Sequence, residues 1–72
     1  MPPLPVISGA DCVRALERLG YVVIRQRGSH IRMHAPGRKP VTVPDHRSLD
    51  RGTLRSIIRD ADLTVDAFLK LL

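Results

Sequence analysis

The hydrophobic residues of this 72-residue chain change period twice, and that change dictates how it can be layered. Cys12/Val13, Leu16 and Leu19 recur at helical spacing, the pattern of an amphipathic helix. Ser8 offers an N-cap with Asp11 three residues on, and Gly20 supplies a stop, so a helix is predicted over 9–19. The β-rich run Tyr21 to Gln26 follows as a strand, and Arg27-Gly28-Ser29 as a turn. From His30 to Ala35 the period falls to two: Ile31, Met33 and Ala35 point one way, His30, Arg32 and His34 the other. Pro36-Gly37-Arg38-Lys39 reads as a second turn, and Val41-Thr42-Val43 as a third strand that Pro44 ends. After a polar loop at 45–50 the helical template returns in Leu54, Ile57, Ile58 and Ala61, capped by Asp50 or Thr53. Thr64 caps a short terminal helix with Val65, Phe68, Leu69 and Leu72 inward.

The expected fold class is therefore α+β, in the order α-β-β-β-α with a short C-terminal helix. A three-stranded antiparallel sheet with helices on one face buries Ile31 and Met33 beneath Leu16, Leu19, Ile57 and Ile58. Residues 1–72 form a single domain in this reading, and 1–6, with three prolines in the first five residues, form an extended N-terminal arm. The other face of strand two is left uncovered, carrying His30, Arg32 and His34.

Several function classes fall away at once. The longest apolar run, Tyr21-Val22-Val23-Ile24, is far too short to cross a bilayer, and the first residues lack the basic-then-apolar layout of a secretory signal, so a cytoplasmic location is expected. Cys12 is the single cysteine. That excludes a disulfide within the chain and a zinc site of paired thiolates, and its place in a helical apolar pattern makes it a small core residue.

Charge points to a polyanion. Twelve basic residues stand against seven acidic, for a net charge of +5, and most of the basic ones are Arg. A guanidinium pairs with phosphate through two parallel N–H bonds, whereas an ammonium acts as a point charge. Between Arg14 and Arg59 the chain is mostly basic, and Asp60, Asp62 and Asp66 cluster near the end. Arg51, Arg55 and Arg59 stand one turn apart on the wet face of the second long helix, as a solvated face or as a track for a nucleic-acid backbone. Tyr21 and Phe68 both read as buried, which leaves no aromatic platform for base stacking.

Imidazole titrates near pH 6.5, so a histidine moves protons at neutral pH without burial or a metal. RNA carries its own nucleophile in the 2′-hydroxyl. A placed base, with cations to stabilise the phosphorane-like transition state, is enough to cleave it. His30 follows Gly28-Ser29, a turn able to bring backbone N–H groups to a phosphate, and Arg25, Arg27 and Arg32 lie close along the chain to supply the cations. The plain alternative is that His30 is a polar residue on a wet sheet face. His34 lies four residues along, about 13 Å away at about 3.3 Å per residue, too far to share a proton or a metal with His30. His46, after Pro44-Asp45, is either a second acid/base or a loop residue held by Asp45.

Three blocks in order carry a resemblance: Arg25-Gln26-Arg27-Gly28-Ser29-His30, Val43-Pro44-Asp45-His46, and Gly52-Thr53-Leu54-Arg55-Ser56-Ile57-Ile58. Together with Leu16-Glu17-Arg18-Leu19-Gly20-Tyr21, the chain from about Ile7 to Leu69 resembles the HicA toxins, the mRNA interferases of prokaryotic toxin–antitoxin pairs. The resemblance implies a fold like the double-stranded-RNA-binding domain, the same α-β-β-β-α order read from periodicity. It implies that the histidine of the Gly-Ser-His block, here His30, is catalytic, and it places the family's second recurrent histidine at His46. Many members carry another histidine straight after the first, where this chain has Ile31; by alternation that position faces the core, so catalysis should not suffer.

The expectations that follow are concrete. The chain is a metal-independent endoribonuclease toxin acting on mRNA, with no cofactor. His30 is the general acid/base, His46 a possible second one, Gly28 and Ser29 shape the turn, and Arg25, Arg27 and Arg32 hold phosphate. The resemblance implies a HicB-like antitoxin that covers His30, with an acidic contact face to match the +5 here. The rivals are a non-catalytic RNA- or DNA-binding module using the same Arg surface, and a protein-binding adaptor indifferent to His30.

Overall fold

Helix α1 spans Gly9–Leu19 because both of its ends are closed by side chain and backbone. The Ser8 hydroxyl accepts from the Asp11 N–H at 3.0 Å while the Asp11 carboxylate accepts from the Ser8 N–H at 3.4 Å, a capping box of the kind that contributes about 1 kcal/mol. At the other end Gly20 takes φ 113°, a left-handed conformation that costs glycine no Cβ clash. Its N–H donates to the Glu17 carbonyl and that of Tyr21 to the Leu16 carbonyl, both at 3.1 Å, the paired bonds of a Schellman motif. Tyr21 is consumed by that motif and buried with Leu16 in the core. The first strand therefore starts one residue later than its β-propensity suggests.

The computed structural model describes residues 3–72. After α1 come β1 (Val22–Arg27), β2 (His30–His34), β3 (Val41–Pro44), α2 (Arg51–Asp60) and α3 (Val65–Leu69). The strands form one antiparallel sheet in the order β1-β2-β3, which gives the α+β architecture expected from the sequence. Asp50 caps α2, its carboxylate accepting from the Thr53 N–H at 2.7 Å, and the Thr64 hydroxyl caps α3, accepting from the Ala67 N–H at 3.1 Å. At the far end of α2 the Arg38 guanidinium donates to the Ala61 carbonyl at 2.6 Å, meeting a carbonyl the helix leaves open.

A single apolar core lies between the sheet and the helices. Cys12, Ala15 and Leu16 of α1, Leu54, Ile57 and Ile58 of α2, and Phe68 of α3 cover Ile31, Met33, Val41 and Val43. The Tyr21 hydroxyl donates to the Lys39 carbonyl at 2.7 Å, so the largest buried side chain leaves no polar group unpaired. Burial also pushes the Cys12 thiol up to about 12, which keeps it neutral and unreactive.

Four details depart from the expected layout. Leu49, in the stretch read as a polar loop, is buried and its N–H donates to the Ile7 carbonyl at 2.8 Å. Residues 3–7 have no regular structure, yet Leu4 and Ile7 are buried in the core; Met1 and Pro2 of the arm lie outside the described residues. Leu72 is 45% exposed rather than inward, because the helix stops at Leu69 and Leu71 packs on the core instead. Strand β1 is exposed along its whole length, Val22, Val23 and Ile24 included, because it is a sheet edge that the helices barely overlap. Among the described residues no helix is long and apolar enough to cross a membrane.

Candidate active site on the open sheet face

Strand β2 decides which side chains share a face. Ile31 and Met33 are buried and His30 and His34 exposed, with Arg32 half-buried between them, so the alternation read from the sequence is the one the sheet uses. Across the sheet, Arg27 stands opposite His30, Arg25 opposite Arg32, and Thr42 of β3 opposite Arg32 on the other side. Directly opposed residues of an antiparallel pair point the same way. Arg25, Arg27, His30, Arg32 and Thr42 accordingly line one small cavity of about 180 Å³.

The position of Arg25 depends on a bulge. Val22 and Val23 pair with His34 and Met33, but the register shifts before Arg25, leaving Ile24 without a partner. Were the ladder to continue in the register of Val22 and Val23, Ile24 would stand opposite Arg32, and Arg25 would stand opposite Ile31 and point into the helix layer. The bulge turns it onto the open face beside Arg32, as bulges commonly re-aim a side chain.

The turn that presents His30 is short and tied down. Gly28 takes φ 56° while Ser29 keeps a negative φ, the signs of a two-residue II′ hairpin turn with glycine first. The Gln26 side-chain amide donates to the Gly28 carbonyl at 3.0 Å and to the Asp45 carboxylate at 3.3 Å. The Asp45 N–H donates to the Ser29 carbonyl at 2.6 Å. Asp45 thus links the β1–β2 turn to the chain leaving β3. Among the described residues neither ring nitrogen of His30 has a hydrogen-bond partner, so both are free for a ligand. Arg32 is steadied by one bond, its guanidinium donating to the Thr42 hydroxyl at 3.0 Å.

His46 does not line this cavity. Its carbonyl accepts from the Gly9 N–H at 2.9 Å, holding the start of α1. The Asp45 carboxylate engages Gln26 rather than His46, and hydrogen bonds from Thr53 hold the Asp50 carboxyl below its usual range. His34 stands opposite Val22 at the other end of β2, also outside the cavity. Arg51, Arg55 and Arg59 are exposed on the outer face of α2, a helix layer away from the open sheet face. Thr42, Gln26 and Asp45 were not singled out for this site by their residue types. Thr42 had a signal in its alternation with Val41 and Val43, whereas the Gln26–Asp45 link joins residues that only the fold brings together.

Residues 9–63 match the family model described as the HicA toxin of bacterial toxin–antitoxin systems. Among solved structures, a chain of a toxin–antitoxin complex from Streptococcus pneumoniae is similar at a TM-score of 0.71 and 33% identity, over 79% of this chain and 98% of that one. No curated protein matches the chain.

Proposed function

The chain belongs to the HicA toxin family of bacterial toxin–antitoxin systems, and from that premise we propose that it is an endoribonuclease that cuts mRNA on its open sheet face. The observation that carries the reading is the cavity in which one histidine with free ring nitrogens stands among three guanidinium groups, those of Arg25, Arg27 and Arg32. A phosphodiester fits that arrangement by charge and by size. Arg25, Arg27 and Arg32 hold its non-bridging oxygens and offset the charge that grows as the phosphorus becomes five-coordinate. His30 takes the proton from the adjacent 2′-hydroxyl. The freed oxygen attacks the phosphorus and the bond to the 5′-oxygen of the next nucleotide breaks. That oxygen takes up a proton from water, the His30 imidazolium gives its proton back to solvent, and a 2′,3′-cyclic phosphate and a 5′-hydroxyl result. The nucleophile is already held by the substrate, which removes the entropy of bringing in a water.

Cations from Arg take the place a metal would otherwise fill in this scheme. Among the described residues no three His, Cys, Asp or Glu side chains lie close enough to hold an ion, and the reading needs no cofactor. Gly28 and Ser29 act by shaping the turn, and His46, outside the cavity, is reserved for a secondary proton-transfer or purely structural role. The reading places the protein in the cytoplasm, where mRNA is.

A toxin of this kind needs a partner that silences it, and the similar chain comes from a toxin–antitoxin complex. A HicB-like antitoxin that covers His30 with an acidic surface would neutralise the same three guanidinium groups that hold RNA. The direct test is expression of His30→Ala without antitoxin. Growth arrest and mRNA cleavage should disappear, with the loss of a general base costing about 10²–10⁴-fold in rate. An Ala variant as toxic as the unchanged protein at equal expression contradicts the assignment.

A further inference from the structure

The His30 cavity is not closed at the β3 side. A second groove, of about 410 Å³, begins at the same two residues, Arg32 and Thr42, and runs over the edge of β3 to Thr53, Ser56 and Asp60 of α2. Ile57, almost wholly buried, and Pro40 give it an apolar base. β3 ends the sheet, so the N–H and C=O groups of its outer edge face no further strand. The groove is thus a pocket of small-molecule size with an apolar base and with hydroxyl, main-chain and carboxylate groups around it.

The lining distinguishes between the parts of a nucleotide. A phosphate would meet one guanidinium, Arg32, already shared with the first cavity, and the repelling carboxylate of Asp60. A neutral base meets acceptors and hydroxyls suited to its edge. Asp60 is the telling residue. It stands in the last turn of α2, where a negative charge opposes the helix dipole, and its ion pair with Arg59 is long, at 3.8 Å, between side chains 43% and 76% exposed. Such a pair adds little stability, so the fold gains little from an acid at this position.

We propose that the groove between the free edge of β3 and α2 seats an RNA base next to the phosphate held at His30, and that Asp60 there favours bases bearing an exocyclic amino group. The proposal rests on the ribonuclease reading for its register but not for its chemistry. A carboxylate accepts hydrogen bonds only. It therefore favours cytosine, adenine or guanine, which present an amino group, over uracil, whose one edge donor, N3–H, is flanked by two carbonyls that repel a carboxylate. Thr42 is the junction, holding Arg32 on one side and lining the base groove on the other.

The test separates the groove from the cleavage. The His30→Ala protein is titrated with tetranucleotides of cytidine, adenosine and uridine, with amide shifts followed by NMR. Oligo(C) and oligo(A) should move Thr42, Thr53, Ser56 and Asp60 and bind about tenfold more tightly than oligo(U). Asp60→Asn, which gains a donor at the same size, should bring the three affinities within about twofold of each other. Equal affinities in the Asp60 protein, or shifts confined to β1 and β2, overturn the base groove even if the unchanged protein cuts RNA well. Conversely, groove shifts with the expected ranking in a protein that cuts no RNA leave the groove standing and remove the ribonuclease reading.

Discussion

The main-chain N–H of Asp45 donates to the carbonyl of Ser29 at 2.6 Å, across a gap of sixteen positions in the chain, so the residue before His30 is pinned to the exit of β3. With the Gln26 amide reaching both the Gly28 carbonyl and the Asp45 carboxylate, the hairpin that carries the candidate base has less freedom than a two-residue turn alone would have. The Asp45 side chain touches no substrate in this account. Its contribution is to hold His30 where a proton transfer needs it.

Asp45→Ala should therefore lower the cleavage rate about tenfold, since small misplacements of a reacting group are costly. RNA affinity, which rests on Arg25, Arg27 and Arg32, should stay within about twofold, and amide exchange at Gly28 to His30 should quicken. Asp45→Asn, which still accepts from Gln26, should recover most of the rate. A loss of affinity equal to the loss of rate would instead make Asp45 a binding residue.

At Gly9 the backbone of β3 leaves no room for a side chain. A Cβ there would lie 2.0 Å from the Pro44 carbonyl oxygen, and that oxygen belongs to backbone that cannot swing away. Gly9→Ala should cost about 1–3 kcal/mol, as overpacking does, and the urea midpoint should fall with an unchanged slope. Since the Gly9 N–H also bonds the His46 carbonyl at 2.9 Å, the same variant should loosen the loop after β3. An unchanged midpoint would mean that α1 docks on β3 less closely than described.

The periods of the hydrophobic pattern were sufficient to place α1, β2, β3 and α2, because each of those elements buries one face and has a readable cap or stop: Ser8 and Gly20, the Gly28 turn, Pro44, and Asp50. Strand β1 was harder, since an edge strand exposed on both sides obeys no alternation. The bulge at Ile24, which decides where Arg25 points, arises from pairing with β2 and leaves no mark in the residues of β1 alone. Leu4 and Leu49 were hidden for a related reason: each is a lone apolar residue among prolines or polar groups, buried by what the rest of the chain folds against it. The turn residues around His30 could be read locally. The tie from Asp45 could not, because it is a contact between main-chain groups distant in sequence.

Two capping carboxylates link the fold's stability to acid pH. Hydrogen bonds from Ser8 hold the Asp11 carboxyl below its ordinary value of 3.8, and those from Thr53 do the same for Asp50. Both groups have a lower value folded than unfolded. The stability they supply is therefore complete above the ordinary value and is lost as pH falls through the lowered one. Denaturant midpoints should be flat from pH 7 to about 5 and decline below pH 4, in a pH range set by carboxylates of this kind. The Asp11→Asn, Asp50→Asn double variant should show a shallower decline. An equally steep decline would assign the acid sensitivity to other groups.

The central claim is that His30 activates the 2′-hydroxyl of the RNA itself, and one substrate pair measures it. A short single-stranded RNA and the same strand with a single 2′-deoxy nucleotide at the cleaved position are offered to the unchanged protein in excess chelator. The account predicts that the RNA is cut to a 2′,3′-cyclic phosphate, or its hydrolysed monophosphate, with a 5′-hydroxyl downstream, while the deoxy strand binds about equally well through its phosphates and is not cut. Normal cleavage of the deoxy strand, or cleavage of either strand only when a divalent metal is restored, would contradict it.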